Sequence, residues 1–122
     1  MSLWAYVAAA LACGIGATIR YSLSRLRSIW VLPWPTLIAN VAGSVLLGAI
    51  AQEALTAANP DMLMLVVGGG FAGGLTTFSS LAVDAVVLWH EDKRPAATAY
   101  VLTTFGAGLA SASAGWALAS LV

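Results

Sequence analysis

The sequence predicts an all-α integral membrane protein with four transmembrane helices, and its composition and the distribution of its apolar residues support this fold class. The chain has 122 residues, of which 61% are hydrophobic and only 8% are charged. A soluble domain carries about 25% charged residues, so most of this chain is expected to lie in a membrane. The apolar residues form four long stretches, and the linkers between them are too short to hold an extramembrane domain.

Each apolar stretch is long enough to cross a bilayer, because a spanning helix needs about 20 apolar residues. The predicted spans cover residues 3–19, 32–57, 62–89 and 96–121, which makes residues 1–122 a single four-helix membrane domain. The first span ends before Arg20, and Pro33 and Pro35 open the second. Membrane lipid is therefore an expected partner of the outer surface.

The third stretch is unusual in its length and in its glycines. As a straight helix its 28 residues would extend about 42 Å, well beyond the roughly 30 Å of hydrocarbon. Residues 68–81, GGGFAGGLTTFSSL, contain five glycines and four hydroxyl side chains. Because glycine costs a helix about 1 kcal/mol relative to alanine, we expect this helix to break at its glycine-rich centre. Irregular backbone at membrane depth is tolerated only where it is buried in protein or lines a watery cavity, so the break predicts an ion site.

Small residues recur at a spacing of four in three of the spans, which lets helix backbones approach closely. The pairs are Ser44 with Gly48, Gly69 with Gly73, Gly70 with Gly74, and Ser111 with Gly115. Together they predict a compact bundle. Four helices of this length enclose little space, so a pathway through the membrane is expected to need more than one copy.

The distribution of positive charge predicts the orientation in the membrane. Every Lys and Arg lies on the side shared by the first and third linkers, namely Arg20, Arg25, Arg27, Lys93 and Arg94. The opposite side carries only the acidic Glu53 and Asp61. Since Lys and Arg favour the cytoplasmic side, both chain termini are expected to be extracytoplasmic.

Two polar residues inside the spans are candidates for function, because polar groups are costly in a membrane and are kept for a reason. The amide of Asn40 donates and accepts hydrogen bonds, so it can form a neutral ion site or a hydrogen bond between helices. Asp84 is the acid in the middle of a span. It can pair with Arg20, face a wet vestibule or relay protons.

The chain shows no catalytic constellation, and an enzyme is not expected. His90 is the single histidine and stands beside two acids in a linker, and the single Cys13 leaves too few thiols for a metal site. The glycine cluster lacks the Gly-Lys-Ser/Thr ending of a phosphate-binding loop. A formal net charge of zero argues against a nucleic-acid partner.

Three segments carry a resemblance to a known family. They are GIGATIRY at residues 14–21, TLIANVAGSVLLG at residues 36–48 and FAGGLTTFS at residues 71–79. In this order they resemble the signatures of the CrcB/Fluc fluoride channel family, and the resemblance covers all four spans. It implies small subunits in the bacterial plasma (inner) membrane that assemble as an antiparallel dimer with two fluoride pores and a central structural Na⁺. Cytoplasmic F⁻ would leave the cell by passive flow, which relieves fluoride toxicity.

The resemblance also implies roles for individual residues. Those that match the fluoride pore are Asn40, Phe78, Ser79, Tyr100 and Thr104. Phe78 matches the first phenylalanine of an aromatic box, whose ring edges carry the positive side of the quadrupole and can face an anion. The backbone carbonyls of Gly73 and Thr76 match the ligands of the Na⁺. Arg20 matches a structural arginine at the end of the first helix.

Three positions depart from the family pattern. Leu81 replaces the second box phenylalanine, Gly108 stands where the polar track has a hydroxyl, and Asp84 replaces a vestibule glutamate but keeps the carboxylate. Leu81 matters most, because leucine offers size without a quadrupole. Together with the one-sided charge, it suggests one fixed-orientation half of a heterodimer with a paralogous subunit. A dual-topology homodimer that tolerates Leu81 is the alternative.

Two other classes of protein share part of this pattern. A small multidrug-type transporter has a similar size and an antiparallel assembly, but it needs a coupling carboxylate in its first helix, and residues 3–19 contain none. A non-conducting assembly subunit is the second class, and Leu81 and Gly108 make it conceivable. An assay of fluoride flux separates these classes from a channel.

Overall fold

The computed structural model describes residues 1–26 and 32–122, and the regular structure in these two ranges is helical, with no strand among them. The elements in chain order are α1 (Leu3–Ser24), α2 (Trp34–Glu53), α3 (Pro60–Leu63), a π-helix (Met64–Ala72), α4 (Gly73–Leu75), α5 (Ser79–His90) and α6 (Arg94–Ala119). Arg27, which belongs to the predicted positive side, lies outside the described residues.

Four helical ranges are long and apolar enough to cross a membrane, as judged by length and composition. They are Leu3–Ser24, Trp34–Glu53, Pro60–His90 and Arg94–Ala119. This confirms the predicted fold class of an all-α membrane protein with four spans. The bounds differ from the predicted ones by a few residues. The clearest difference is in α1, which continues past Arg20 to Ser24, because the guanidinium of Arg20 has a partner within the protein.

The third span is interrupted, but not at the glycines. The structure does not show a break at the glycines themselves, since residues 68–70 lie in the π-helix and Gly73 and Gly74 begin α4. The helix is interrupted at residues 76–78, where Thr76 has an extended backbone with φ −86° and ψ 159°. The physical reason is that polar side chains hold the interruption, whereas most of the glycines serve close contact between helices.

Glycines allow two pairs of helical segments to pack backbone to backbone. α1 packs along the π-helix and α4, and α2 packs along α6. A side chain at any of four glycines would collide with the backbone of the neighbouring helix: Gly70 with Ala9, Gly74 with Cys13, Gly48 with Ala112, and Gly115 with Val45. The predicted compact bundle is therefore confirmed. Gly69 and Gly73 are the exception, because a Cβ on either would approach only its own segment.

A buried apolar cluster joins α5 to α6 just beyond the interruption. Its members are Leu81, Leu88, Ala97 and Tyr100, with Leu32 and Ala85 packed against them. Tyr100 has no exposed surface at all. The cluster fixes the start of α5 against the first half of α6, which brings the interruption close to the polar residues of α6.

Candidate functional site

The interrupted helix is held in place by Asn40 of α2. The Oδ1 atom of Asn40 accepts a hydrogen bond from the backbone N–H of Thr77 (2.7 Å), and its Nδ2 atom donates to the backbone carbonyl of Thr77 (3.0 Å). The amide thus replaces both hydrogen bonds that a regular helix would give this residue. Of the two uses predicted for Asn40, the hydrogen bond between helices is formed, and one N–H of the amide remains for another partner.

At the interruption, two backbone N–H groups donate to side-chain oxygens rather than to the helical carbonyls that would normally accept from them. In a continuous helix the N–H of residue i+4 donates to the carbonyl of residue i. The N–H of Thr77 donates to Asn40 instead of Gly73, and the N–H of Ser80 donates to the Thr77 hydroxyl (3.1 Å) instead of Thr76. The carbonyls of Gly73 and Thr76 are thereby freed from the helix, apart from a 3.5 Å contact of the Thr76 hydroxyl with Gly73.

Arg20 lies beside the same interruption and not beside Asp84. Its Nε atom donates a hydrogen bond to the carbonyl of Gly74 at 3.1 Å. The predicted pairing of Arg20 with Asp84 is therefore wrong. The reason is that α4 ends one residue after Gly74, and the free carbonyls at a helix C-terminus attract a cation.

Asp84 instead belongs to a cluster of hydroxyl groups. Its Oδ2 atom accepts hydrogen bonds from the hydroxyl of Thr36 (2.8 Å) and from the hydroxyl of Tyr100 (3.2 Å). These two donors come from α2 and α6, so the carboxylate links three spans. Sequence reasoning missed both partners of Asp84, because Thr36 and Tyr100 lie on other spans and no local spacing links them to it.

A groove of about 590 Å³ opens beside the interruption, between α2, the third span and α6. It brings together most of the predicted pore and ion-site residues: Asn40, Gly73, Thr76, Phe78, Leu81, Thr104 and Gly108. Ser79 is exposed beside it, with its hydroxyl 3.2 Å from that of Thr77. Arg20, Asp84 and Tyr100 do not line the groove but lie behind its walls.

The lining of the groove is apolar with a few polar groups. Thr104 is only 8% exposed. Its hydroxyl is buried and has no hydrogen-bond partner within residues 1–26 and 32–122. Phe78 is 72% exposed at the start of α5. A buried donor without a partner is unfavourable, so the groove has the character of an incomplete site.

Sequence reasoning missed one aromatic residue of the groove. Phe105 lines the groove and directly follows Thr104 on α6. Thr104, Phe105, Gly108 and Leu109 form its α6 side, and this spacing places them on one face of the helix. The available signal was helical spacing, since Phe105 stands three residues before Gly108, a position of the polar track, and residues three apart share a helix face.

A family profile described as CrcB-like protein, Camphor Resistance (CrcB), matches residues 7–116, which include most of all four spans. The chain belongs to the CrcB family. The resemblance noted in the three short segments thus extends over nearly the whole sequence.

Individual members of the CrcB family are similar over most of their length. The fluoride-specific ion channel FluC of Roseiflexus sp. is 37% identical, covering 95% of this chain and 97% of its own. The fluoride-specific ion channel FluC 1 of Ligilactobacillus salivarius is 35% identical, covering 87% and 91%. The fluoride-specific ion channel FluC 2 of Rhodococcus jostii is 37% identical, covering 91% and 95%.

Proposed function

We propose that this chain is a subunit of a fluoride-specific ion channel that exports cytoplasmic F⁻ by passive flow and so relieves fluoride toxicity. Membership of the CrcB family and the names of the similar proteins support this function. The four apolar spans support a multi-pass protein, which we assign to the bacterial plasma (inner) membrane.

The observation that carries the proposal is the groove, because it holds hydrogen-bond donors within an apolar wall at membrane depth. Among the described residues, the Thr104 hydroxyl has no partner and one N–H of the Asn40 amide has no acceptor. A small anion that loses its water needs such donors, and a neutral lining leaves it free to move on. The exposed ring of Phe78 adds a positive edge to the same wall.

The remaining pore residues extend this path. The hydroxyl of Ser79 lies next to Phe78 at the start of α5, and Leu81 contributes an apolar surface to the wall. Behind the groove, Tyr100 donates to the carboxylate of Asp84. We assign this pair to the vestibule, where the hydroxyl of Tyr100 can release the carboxylate of Asp84 and donate its hydrogen bond to an arriving anion instead.

We also propose a structural Na⁺ at the interruption. The carbonyls of Gly73 and Thr76 fit this ion, because both have lost their helical donors to side chains. Carbonyl oxygens are suitable ligands for such a hard cation. Two carbonyls leave a coordination shell incomplete, so we expect a second subunit to supply the others, with the cation holding the two interruptions together.

An antiparallel dimer would complete the site. The groove is open along one side and Phe78 is mostly exposed in the single chain. The partner is either a second copy or a paralogous subunit. We favour the paralogous subunit, because all positive charge lies on one side and Leu81 lacks an aromatic ring. The numbered names FluC 1 and FluC 2 among the relatives are in line with such pairs.

Fluoride release from liposomes tests the channel. Vesicles that contain the purified chain are loaded with potassium fluoride, valinomycin carries the K⁺, and a fluoride electrode records the release. We expect release far above that of protein-free vesicles, either from the chain alone or from the chain purified with a paralogous subunit of reversed charge bias. Full release by the chain alone would reject the obligate heterodimer. The absence of release in both preparations would reject the channel.

A non-conducting assembly subunit is the second candidate, and Leu81 and Gly108 favour it because both remove polar or aromatic groups from the groove. A substitution confined to this chain separates the two functions in a heterodimer. If Asn40→Asp in this chain leaves fluoride release unchanged while the partner carries wild-type residues, the path runs through the partner's residues and this chain only supports assembly.

A further inference from the structure

The groove has a second aromatic residue, and it lies on α6. Of the three phenylalanines of the chain, Phe78 and Phe105 line the groove, whereas Phe71 lies in the π-helix away from it. Phe105 is 56% exposed, although it lies near the middle of a membrane span. Its ring can therefore be contacted by an ion or a second subunit that occupies the groove.

Leu81 lines the groove but contributes only a small apolar surface to it. It is only 5% exposed and packs in the buried cluster with Leu88 and Tyr100. The start of α5 thus supplies one aromatic ring to the groove, that of Phe78, and no second one.

Phe105 and Thr104 line the same groove, and the Thr104 hydroxyl has no partner within residues 1–26 and 32–122. Phe105 also lies one turn before Leu109 on the same lining face. An aromatic ring presents a positive edge in its own plane, so a ring in the same groove as the Thr104 hydroxyl adds a second attractive group for an anion without adding a charge. A leucine at position 105 would fill similar space but would lack this edge.

We propose that Phe105 is a selectivity-determining residue of the groove, whose ring edge stabilises a dehydrated small anion next to Thr104 and replaces the aromatic wall that Leu81 does not provide. This inference rests on the proposed anion path. It assigns a role in ion recognition to a residue of α6, and it explains why a chain with leucine at position 81 can retain an anion-facing aromatic surface.

A role in packing alone is the competing explanation, because an exposed phenylalanine can also be buried by a second subunit. Leu109 offers a matched control. It lines the same face of the same groove and is 73% exposed, so a second subunit that covers Phe105 would cover Leu109 as well. Leu109 has no ring edge, and its truncation tests the loss of apolar contact without the loss of the quadrupole.

The test compares Phe105→Leu, Phe105→Tyr and Leu109→Ala with wild type in the preparation that releases fluoride. The measurements are the rate of fluoride release, the ratio of fluoride to chloride release, and the dimer fraction by size-exclusion chromatography. We expect Phe105→Leu to keep the dimer but to lower fluoride release at least about tenfold, the scale of one lost contact to an ion, and to lower the ratio to chloride. Phe105→Tyr keeps the ring and should stay within about threefold of wild type. Leu109→Ala removes part of the same lining and so shows what the loss of apolar contact does to release, but we expect it to keep the wild-type ratio of fluoride to chloride, because no ring edge is lost.

Three results would overturn the inference. Phe105→Leu could release fluoride like wild type with an unchanged ratio to chloride. Phe105→Leu could also lose the dimer, which would assign Phe105 to packing. The same assignment would follow if Phe105→Leu and Leu109→Ala lowered fluoride release equally while the ratio of fluoride to chloride release stayed that of wild type. A wild-type preparation without any fluoride release would reject the proposed function itself, and this inference with it.

Discussion

At the scale of single residues, Asn40 shows how a polar side chain can stabilise an irregular backbone inside a membrane span. Its amide bonds both the N–H and the carbonyl of Thr77, and so it compensates the two groups that leave the helix. An unsatisfied buried backbone group costs about 1–3 kcal/mol, so this one side chain accounts for a large part of the stability of the interruption. The same amide borders the groove, so the residue that holds the interruption also lies on the proposed anion path.

Asn40→Asp is expected to abolish fluoride release while the dimer is retained. The aspartate keeps an acceptor for the N–H of Thr77, but it loses the donor to the Thr77 carbonyl and adds a negative charge to the proposed anion path. The loss of one such contact already corresponds to at least about tenfold, and repulsion of F⁻ adds to it. Liposome release and size-exclusion chromatography measure the two effects. If release persists at the wild-type rate, Asn40 serves packing only.

At the scale of helical elements, the glycines and the polar residues that contact the third span have different structural roles. The glycines at positions 70 and 74 allow close packing on α1, whereas Asn40, Arg20 and the Thr77 hydroxyl bond the groups of the interruption. Gly43 of α2 connects the two roles, because a side chain there would collide with the methyl group of Thr76. The freed carbonyl of Thr76 therefore depends on the absence of a side chain on α2.

Gly43→Ala is expected to disturb the proposed Na⁺ site. The added methyl must displace Thr76, and overpacking of this kind costs about 1–3 kcal/mol. We expect a higher Na⁺ concentration to be needed for a stable dimer, together with slower fluoride release. Gly106→Ala is the matched control, because a Cβ on Gly106 of α6 meets nothing within 4 Å. A Gly43→Ala protein with the Na⁺ dependence of wild type would contradict the proposed position of the ion.

At the scale of the whole molecule, one chain provides an incomplete pathway. The groove is open, Phe78 and Phe105 are largely exposed, and the Thr104 hydroxyl has no partner among the described residues. A second subunit that covers the groove would bury these rings. The one-sided distribution of Lys and Arg favours a single orientation in the membrane, and an antiparallel partner must then insert the opposite way.

Thiol labelling in intact cells tests the orientation. In a Cys13→Ala background, Asn59→Cys in the linker before α3 and His90→Cys at the end of α5 place single thiols at exposed positions on opposite sides of the membrane. A membrane-impermeant reagent is expected to label Asn59→Cys and not His90→Cys, and permeabilised cells should label both. Comparable labelling of the two positions in intact cells would indicate dual topology, and would remove the charge argument for a heterodimer.

Sequence reasoning succeeded where a residue acts through a regular pattern. Long apolar stretches located the four spans, and the spacing of small residues predicted a close approach of helices, which the structure has where Gly48 faces Ala112 and Gly115 faces Val45. It failed where a residue acts through a contact with a distant segment. Arg20 bonds Gly74 rather than Asp84, and Asp84 bonds Thr36 and Tyr100, which no local spacing could indicate.

The sequence by itself determined the membrane class, the number of spans and the family, because hydrophobic length, composition and short motifs are properties of the chain as written. Only the tertiary structure decided where the third span is interrupted, since that depends on whether a side chain from α2 reaches the backbone of Thr77. It also decided which aromatic rings line the groove, since packing of α6 beside the third span brings Phe105 and Phe78 to the same groove. Local sequence encodes what a segment prefers, and packing between segments selects which polar and aromatic groups are left to face an ion.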